Sequence, residues 1–499
     1  MKSVNIYLLL LLCFVFAGSS WGQVPVFTGT KINQVSAEEK LAASFTACSI
    51  YQIDAEALHQ HLKESAAKKS FTLNLADEYS FDLELESVVI TRPNSMLTVI
   101  TENGEEKSPF YFDKAYKGKL NSENPTSDVR LVIDERTISG YIDNGKNTFY
   151  FEPYRRYSQT NEADWFVFYN AENTIIDPGT RCGVVDVVEE QQKAKPVPPV
   201  VEGLPKSESS MACIEVELSI GADFSIYQQE GSSVGDLLTR IISTINNVNG
   251  NYDNEFNDEI RFVIVNFIAS TCAACDPWDS TVNADDLLDD FEDWGEDGGF
   301  CDGTTDLHGL WTSRNLEADD GSTGVAGIAT RGSVCDSDGY HVIEDINRPA
   351  SQLRLINTHE IGHNFNCPHN YAIGSDCDPP GRPTTYIMDP FVSTSNTWST
   401  GGDVCDENST QTVNDYYPGR SCLTACTTAP TDVWVDFNYG GCVQRGTFLE
   451  PFSLITMGIY WVAPQGTISI KTSGSTSETP DIEKPLTIEA FDGPATIGQ

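Results

Sequence analysis

Apolar and polar residues alternate at Phe71, Leu73 and Leu75 and again at Phe81, Leu83 and Leu85, the period of strands with one buried face. Ahead of them, residues 37–68 read as a helical stretch. Further on, Thr137–Asp143 and Lys146–Phe151 flank Asn144-Gly145, a pair suited to the two positive-φ positions of a tight type I′ hairpin. Residues 24–180 therefore predict a twisted β domain. Between Glu189 and Ser210 the chain turns to Lys, Pro and Val, then to polar residues, the composition of a semi-extended, protease-accessible linker.

Beyond residue 211 the period changes. Ile214, Val216, Leu218 and Ile220 predict a strand. Ser233 then opens a helix whose apolar residues, from Val234 through Leu237, Leu238, Ile241 and Ile242 to Ile245, recur at helical spacing. Phe262–Ile268 is nearly all apolar, as in a strand covered on both faces. Strand, helix and buried strand in succession predict an α/β layer structure. The last 70 or so residues hold short β segments, Thr467–Lys471 and Leu486–Ala490 among them, which suit either the start of a β-solenoid or a small sandwich.

A chain of 499 residues is too long for one core, so several domains are expected. Its 31 basic and 73 acidic residues leave a formal charge of −42, which repels phosphate backbones and excludes nucleic-acid binding. Lys2 precedes an apolar run, Tyr7–Ala17, with small residues at Ser20 and Gly22. That is the pattern of a secretory signal over residues 1–22, about half the ~20 residues a spanning helix needs. No later stretch is long and apolar enough to span a membrane, so a secreted, extracellular protein is expected. Thirteen of the 14 cysteines follow Ala17, in a compartment where disulfides persist. The odd number leaves at least one thiol outside intrachain pairing.

Chemistry is concentrated in His359-Glu-Ile-Gly-His-Asn-Phe-Asn-Cys-Pro-His369. On a helix His359 and His363 lie one turn apart on one face, and Glu360 projects beside them. Neutral imidazoles suit Zn²⁺, and three of them leave a fourth position for water, which the ion acidifies and Glu360 deprotonates as general base. His369 reaches the same ion only if the helix stops sharply after Phe365. Asn366 suits the left-handed residue of such a stop, and Pro368 prevents resumption. His59, His61, His308 and His341 have no such partners and read as ordinary surface or core residues.

This segment resembles the metzincin zinc endopeptidases, whose pattern is HExxHxxGxxH followed by a methionine turn, with Asn366 in place of the usual glycine. Tyr386-Ile-Met388-Asp-Pro390 is similar to that turn, which implies that Met388 forms an apolar floor under the metal. Asp306–Thr312 and Gly324–Cys335 resemble the reprolysin (adamalysin) branch, although Asn370 stands where that branch usually has Asp. The resemblance implies a cleft-edge strand that pairs with extended substrate. The resemblance covers about 211–427, implying an α/β catalytic domain with a twisted mixed sheet and an active-site helix, and reaches back to the propeptide-like Gly140-Tyr-Ile and Tyr150-Phe-Glu-Pro. With the composition it divides the chain into a β-rich propeptide (residues 23–186), a linker (187–210), the catalytic domain (211–427) and a small all-β C-terminal module (428–499).

Arg181-Cys182-Gly183-Val-Val-Asp186 is similar to the cysteine switch of metzincin zymogens, which implies that the Cys182 thiolate fills the open zinc position until linker cleavage releases it. An ordinary disulfide is the alternative for Cys182. Residues 276–306 hold twelve acidic side chains and no Lys or Arg. They read as a solvated block or, with Asp336-Ser-Asp-Gly339, as a calcium site without full EF-hand spacing. Cys272-Ala-Ala-Cys275 reads as structural, and Cys367 and Cys377 as pins around His369. The expected function is a secreted zymogen of a zinc-dependent endopeptidase, with one catalytic ion, protein or peptide substrates and a separate activating protease. The competing class is a secreted adhesion protein whose peptidase-like domain is inert.

Overall fold

The computed structural model of the chain describes residues 24–33, 38–64, 68–76, 78–121, 126–158, 162–184, 213–300, 305–379, 382–402, 405–426, 429–441, 443–482 and 484–498. The N-terminal apolar run, the linker, Cys301 and Cys442 lie outside them.

The alternating N-terminal segments close into a barrel of nine strands running from Val26–Lys31 to Trp165–Asn170. Phe71, Leu73, Leu83, Ile142 and Phe151 fill its core, and closure leaves no open edge. The stretch expected to be helical over 37–68 holds two helices, Glu39–Ser44 and Ala55–Glu64, separated by the strand Ser49–Gln52. That strand bridges Thr30–Lys31 on one side and Trp165–Phe168 on the other, so the demand for a ninth strand overrides local helical tendency. At the hairpin, Asp143 pairs with Thr148, which leaves a four-residue loop rather than a two-residue turn. Only Gly145 of its Asn-Gly pair has positive φ, because the Asn144 carboxamide oxygen accepts from the amides of Lys146 and Asn147 and closes the loop itself.

The second unit is a mixed sheet. Its strand order is Arg181–Cys182, Thr323–Ala329, Tyr340–Glu344, Leu307–Thr312, Ile214–Ala222, Ile260–Ser270, Thr91–Thr101 and Gly104–Pro109. Thr323–Ala329 runs antiparallel to its inner neighbour, and the next five strands inward are mutually parallel. The predicted buried strand spans Ile260–Ser270 and is buried at every position but Arg261, as a parallel strand covered on both faces must be. Three of the strands, Arg181–Cys182 at one edge and Thr91–Thr101 with Gly104–Pro109 at the other, come from the N-terminal part of the chain.

Two helices cover one face. Val234–Glu255 starts at Ser233, whose hydroxyl accepts from the Asp236 amide, an N-cap that satisfies an otherwise orphan donor. Ala350–Asn364 is buried along its whole length, and its Thr358 is held by Asn251 and Tyr252 of the first helix. Disulfides Cys213–Cys426 and Cys335–Cys422 tie the end of this unit to its beginning and middle. Cys377 bonds Cys405 while Cys367 stays a buried thiol, so the pin near His369 is made by Cys377 alone. Cys272 bonds Cys275.

The C-terminal residues stack short parallel strands, Asp432–Val435 on Thr467–Ile470 on Thr487–Ala490, and Gly474–Thr476 on Ala495–Ile497. Parallel stacking is the geometry of a solenoid, not of an antiparallel sandwich. The module is not all-β either: helix Ile455–Trp461 covers the stack, burying Ile455, Ile459 and Trp461 against Val435 and Ile468.

Candidate metal centre and cleft

Helix Ala350–Asn364 carries His359, Glu360 and His363 on its last turns. It ends at Phe365, and Asn366 takes the left-handed conformation at φ 71°. The amides of Asn366 and Cys367 then donate to the carbonyls of His363 and Gly362, at 2.7 and 3.0 Å, closing the helix as a Schellman motif. The chain reverses, and His369 returns to face the two helix histidines.

The three Nε2 atoms lie 3.0–3.2 Å apart. Nδ1 of His359 donates to the Ile387 carbonyl at 2.6 Å, and Nδ1 of His363 to the Cys367 carbonyl at 2.7 Å. Those bonds fix the tautomer that leaves Nε2 as a lone pair. Burial, together with the two neighbouring histidines, holds His363 well below the ordinary histidine pKa. Three buried lone pairs aimed at one point repel one another unless a cation lies between them. This donor set suits zinc.

The fourth donor is Cys182. Its Sγ is 3.5 Å from His363 Nε2 and 3.5 Å from Glu360 Oε2. Among the described residues, Cys182 and the three histidines form one of two clusters able to hold an ion. The other, Asp306 with Cys335 and Cys422, offers sulfurs that are already in one disulfide. Neither the acidic block nor Asp336–Gly339 supplies a converging carboxylate set among the described residues; Asp336 instead faces Arg420.

Met388 is fully buried and packs its sulfur against Gly362, where an added Cβ would stand 2.6 Å from it. Sequence reasoning missed what holds this floor in place. The Asp389 carboxylate accepts from the amides of Thr385 and Tyr386 and from the Asn370 side chain. The Asn370 amide donates in turn to the Met388 carbonyl. Asn370 thus ties the loop bearing His369 to the methionine turn, and its position beside the third histidine was the available signal. Gly327 was also missed: a Cβ there would lie 2.7 Å from Glu360 Oε1, so only glycine lets the edge strand approach the carboxylate. Glu360 is 1% exposed, and burial pushes its pKa up to about 8 against the lowering hydrogen bond from Cys182.

The segment around Cys182 lies in a trough between the edge strand and residues 390–392. Arg181 and Cys182 run parallel to Val325–Gly327, and the Gly183 amide donates to the Gly327 carbonyl at 2.8 Å. On the other wall, the Cys182 amide donates to the Pro390 carbonyl and the Val392 amide to the Thr180 carbonyl. A pocket beneath Cys182 is lined by Leu355, Ile356, Ile387, Phe391 and Val392.

The model of metallo-peptidase family M12, of the reprolysin type, matches residues 214–399. No curated protein matches the chain.

Proposed function

From the match of residues 214–399 to the model of metallo-peptidase family M12, we propose that this chain is the secreted zymogen of a zinc endopeptidase, kept latent by Cys182. The observation that carries this reading is the convergence of the Cys182 sulfur with three histidine Nε2 atoms, all four donors within 4.8 Å of one another. Four side chains of these types in one buried place match a zinc set whose fourth position is blocked. Secretion is supported by four disulfides among the described residues, bonds that persist in oxidising compartments. No described helix is long and apolar enough to cross a membrane.

His359, His363 and His369 would hold the ion. When bound, it would polarise a scissile carbonyl and lower the pKa of water. The chain's own groups do the rest. Edge strand Thr323–Ala329 offers main-chain donors and acceptors to an extended peptide, as it now does to Arg181–Gly183. Leu355, Ile356 and Phe391, which line the small pocket beside Cys182, offer apolar contact to a substrate side chain. With the cation beside it favouring the carboxylate form, Glu360 accepts a proton from the attacking water and passes it to the departing amine. Met388 and Asn370 position the histidines from below.

Glu360→Ala should abolish cleavage of a casein-type substrate while leaving about one zinc per chain. Equal turnover by variant and parent would reject the mechanism. A Cys182→Ala chain that binds zinc yet cleaves nothing after the linker is cut would favour the inert-domain reading, in which the C-terminal module does the binding.

A further inference from the structure

The N-terminal part meets the central sheet at both of its edges. Arg181–Cys182 occupies the edge at the cleft, and hairpin Thr91–Pro109 occupies the opposite one. We propose that this second contact is a standing interface: the N-terminal part stays bound to the catalytic unit as a second chain after the linker is cut, so that linker cleavage by itself frees only the Cys182 segment. This rests on the zymogen reading and extends it to the state of the molecule after the cut.

The pairing is long and buried. Residues Met96–Ile100 pair in parallel register with Asn266–Ser270. The Ile264 amide donates to the Ile90 carbonyl, the Thr271 amide to the Ile100 carbonyl and the Ser95 hydroxyl to the Ile264 carbonyl. Val88, Ile90, Phe110 and Phe112 belong to the same core as Ile260, Phe262 and Ile264. Arg92 forms an ion pair with Glu215 in which both side chains are less than a tenth exposed. Tyr111, just past the hairpin, stacks on Tyr460 at 4.2 Å and meets Trp461 edge-on, so the C-terminal module clasps the same segment.

Edge chemistry explains why the contact should persist. Without the hairpin, Ile260–Ser270 would be an open, apolar edge strand of eleven residues, a template for aggregation. The hairpin's outer strand has the opposite character, with Glu105, Glu106 and Lys107 exposed, the charged guard expected of a permanent edge. The cleft edge differs again: Arg181–Cys182 is only two residues long. Once the linker is cut, this short strand can peel away while the barrel and hairpin remain in place. Its tether keeps the thiol at high effective concentration, so it competes with substrate.

The test inserts a specific protease site between residues 195 and 205 of the full chain, cuts it, and tracks the fragments by gel filtration at sub-micromolar concentration. It is run with Cys182 intact and with Cys182→Ala. Co-elution of the two fragments in both backgrounds is expected. Separation of the Cys182→Ala fragments on dilution, with the parent fragments still together, would show that the thiol alone holds them and would overturn the proposal. Arg92→Ala should speed dissociation on the order of tenfold or more, by leaving Glu215 without its closest partner. If that variant does not fold, hydrogen exchange of the Ile264 and Thr271 amides in the cut parent decides: continued protection supports the interface and exchange at an open edge's rate rejects it. Retention does not depend on metal or turnover, so co-elution without peptidase activity in the cut Cys182→Ala protein, where no thiol competes, would count against the zymogen reading and not against this interface.

Discussion

At the scale of single residues, the site depends on a reversal at Asn366. Its φ of 71° disfavours side chains other than Gly or Asn. Asn366→Gly should keep both stability and zinc affinity close to the parent's. Asn366→Val should lower the unfolding free energy by ~1–2 kcal/mol and weaken zinc binding, because His369 is carried on the reversed chain; isothermal zinc titration of both variants checks this. Equal affinity in the two would show that the reversal does not place the third ligand. The histidines, Glu360, Cys182, Met388 and Asn366 were legible because their chemistry sits in short motifs. Asn370, Asp389 and Gly327 were not, since each acts through a partner distant in sequence: the methionine turn, two amides ahead of it, and the histidine helix.

At the scale of elements, strands Leu307–Thr312 and Tyr340–Glu344 each carry a buried histidine, His308 and His341, which burial holds neutral with pKa values of about 4. A folded-state pKa below the unfolded 6.5 means that the unfolded chain binds the extra proton first. Stability from these groups is therefore complete above pH 6.5 and is lost as pH falls toward 4. Asp306, pushed up by burial to about 7, works the other way, costing stability as pH rises from 3.8 to 7. Replacing His308 with Gln should remove its share of the acid loss, roughly 3 kcal/mol between pH 6.5 and 4, read as a flatter dependence of unfolding on pH. An unchanged slope would mean that His308 protonates within the folded protein. Helix Val234–Glu255 and strand Ile260–Ser270 were legible because their periods and caps are local. Strand Ser49–Gln52 and the helix in the C-terminal module were not: barrel closure decides the first, and cover for a parallel stack the second.

At the scale of the molecule, residues 91–109 complete a sheet built mainly from residues beyond 213. No pattern within that hairpin says which partner it will find, so a sequence boundary after residue 186 cannot show the shared sheet. The central unit is also closed on itself by Cys213–Cys426, which spans 213 residues. Replacing both cysteines with serine should reduce the unfolding free energy by roughly 3–5 kcal/mol, measured by denaturant titration. No change would place the closure in the pairing of Thr424–Ala425 with Ile214–Glu215 instead.

The most direct test of the account is X-ray absorption at the zinc edge of the purified, uncut chain, compared with its Cys182→Ala variant. The predicted result is about one zinc per chain with a shell of three nitrogens and one sulfur at ~2.3 Å, and loss of the sulfur in the variant. A shell of nitrogen and oxygen alone in the intact chain, or a sulfur that survives removal of Cys182, would contradict it.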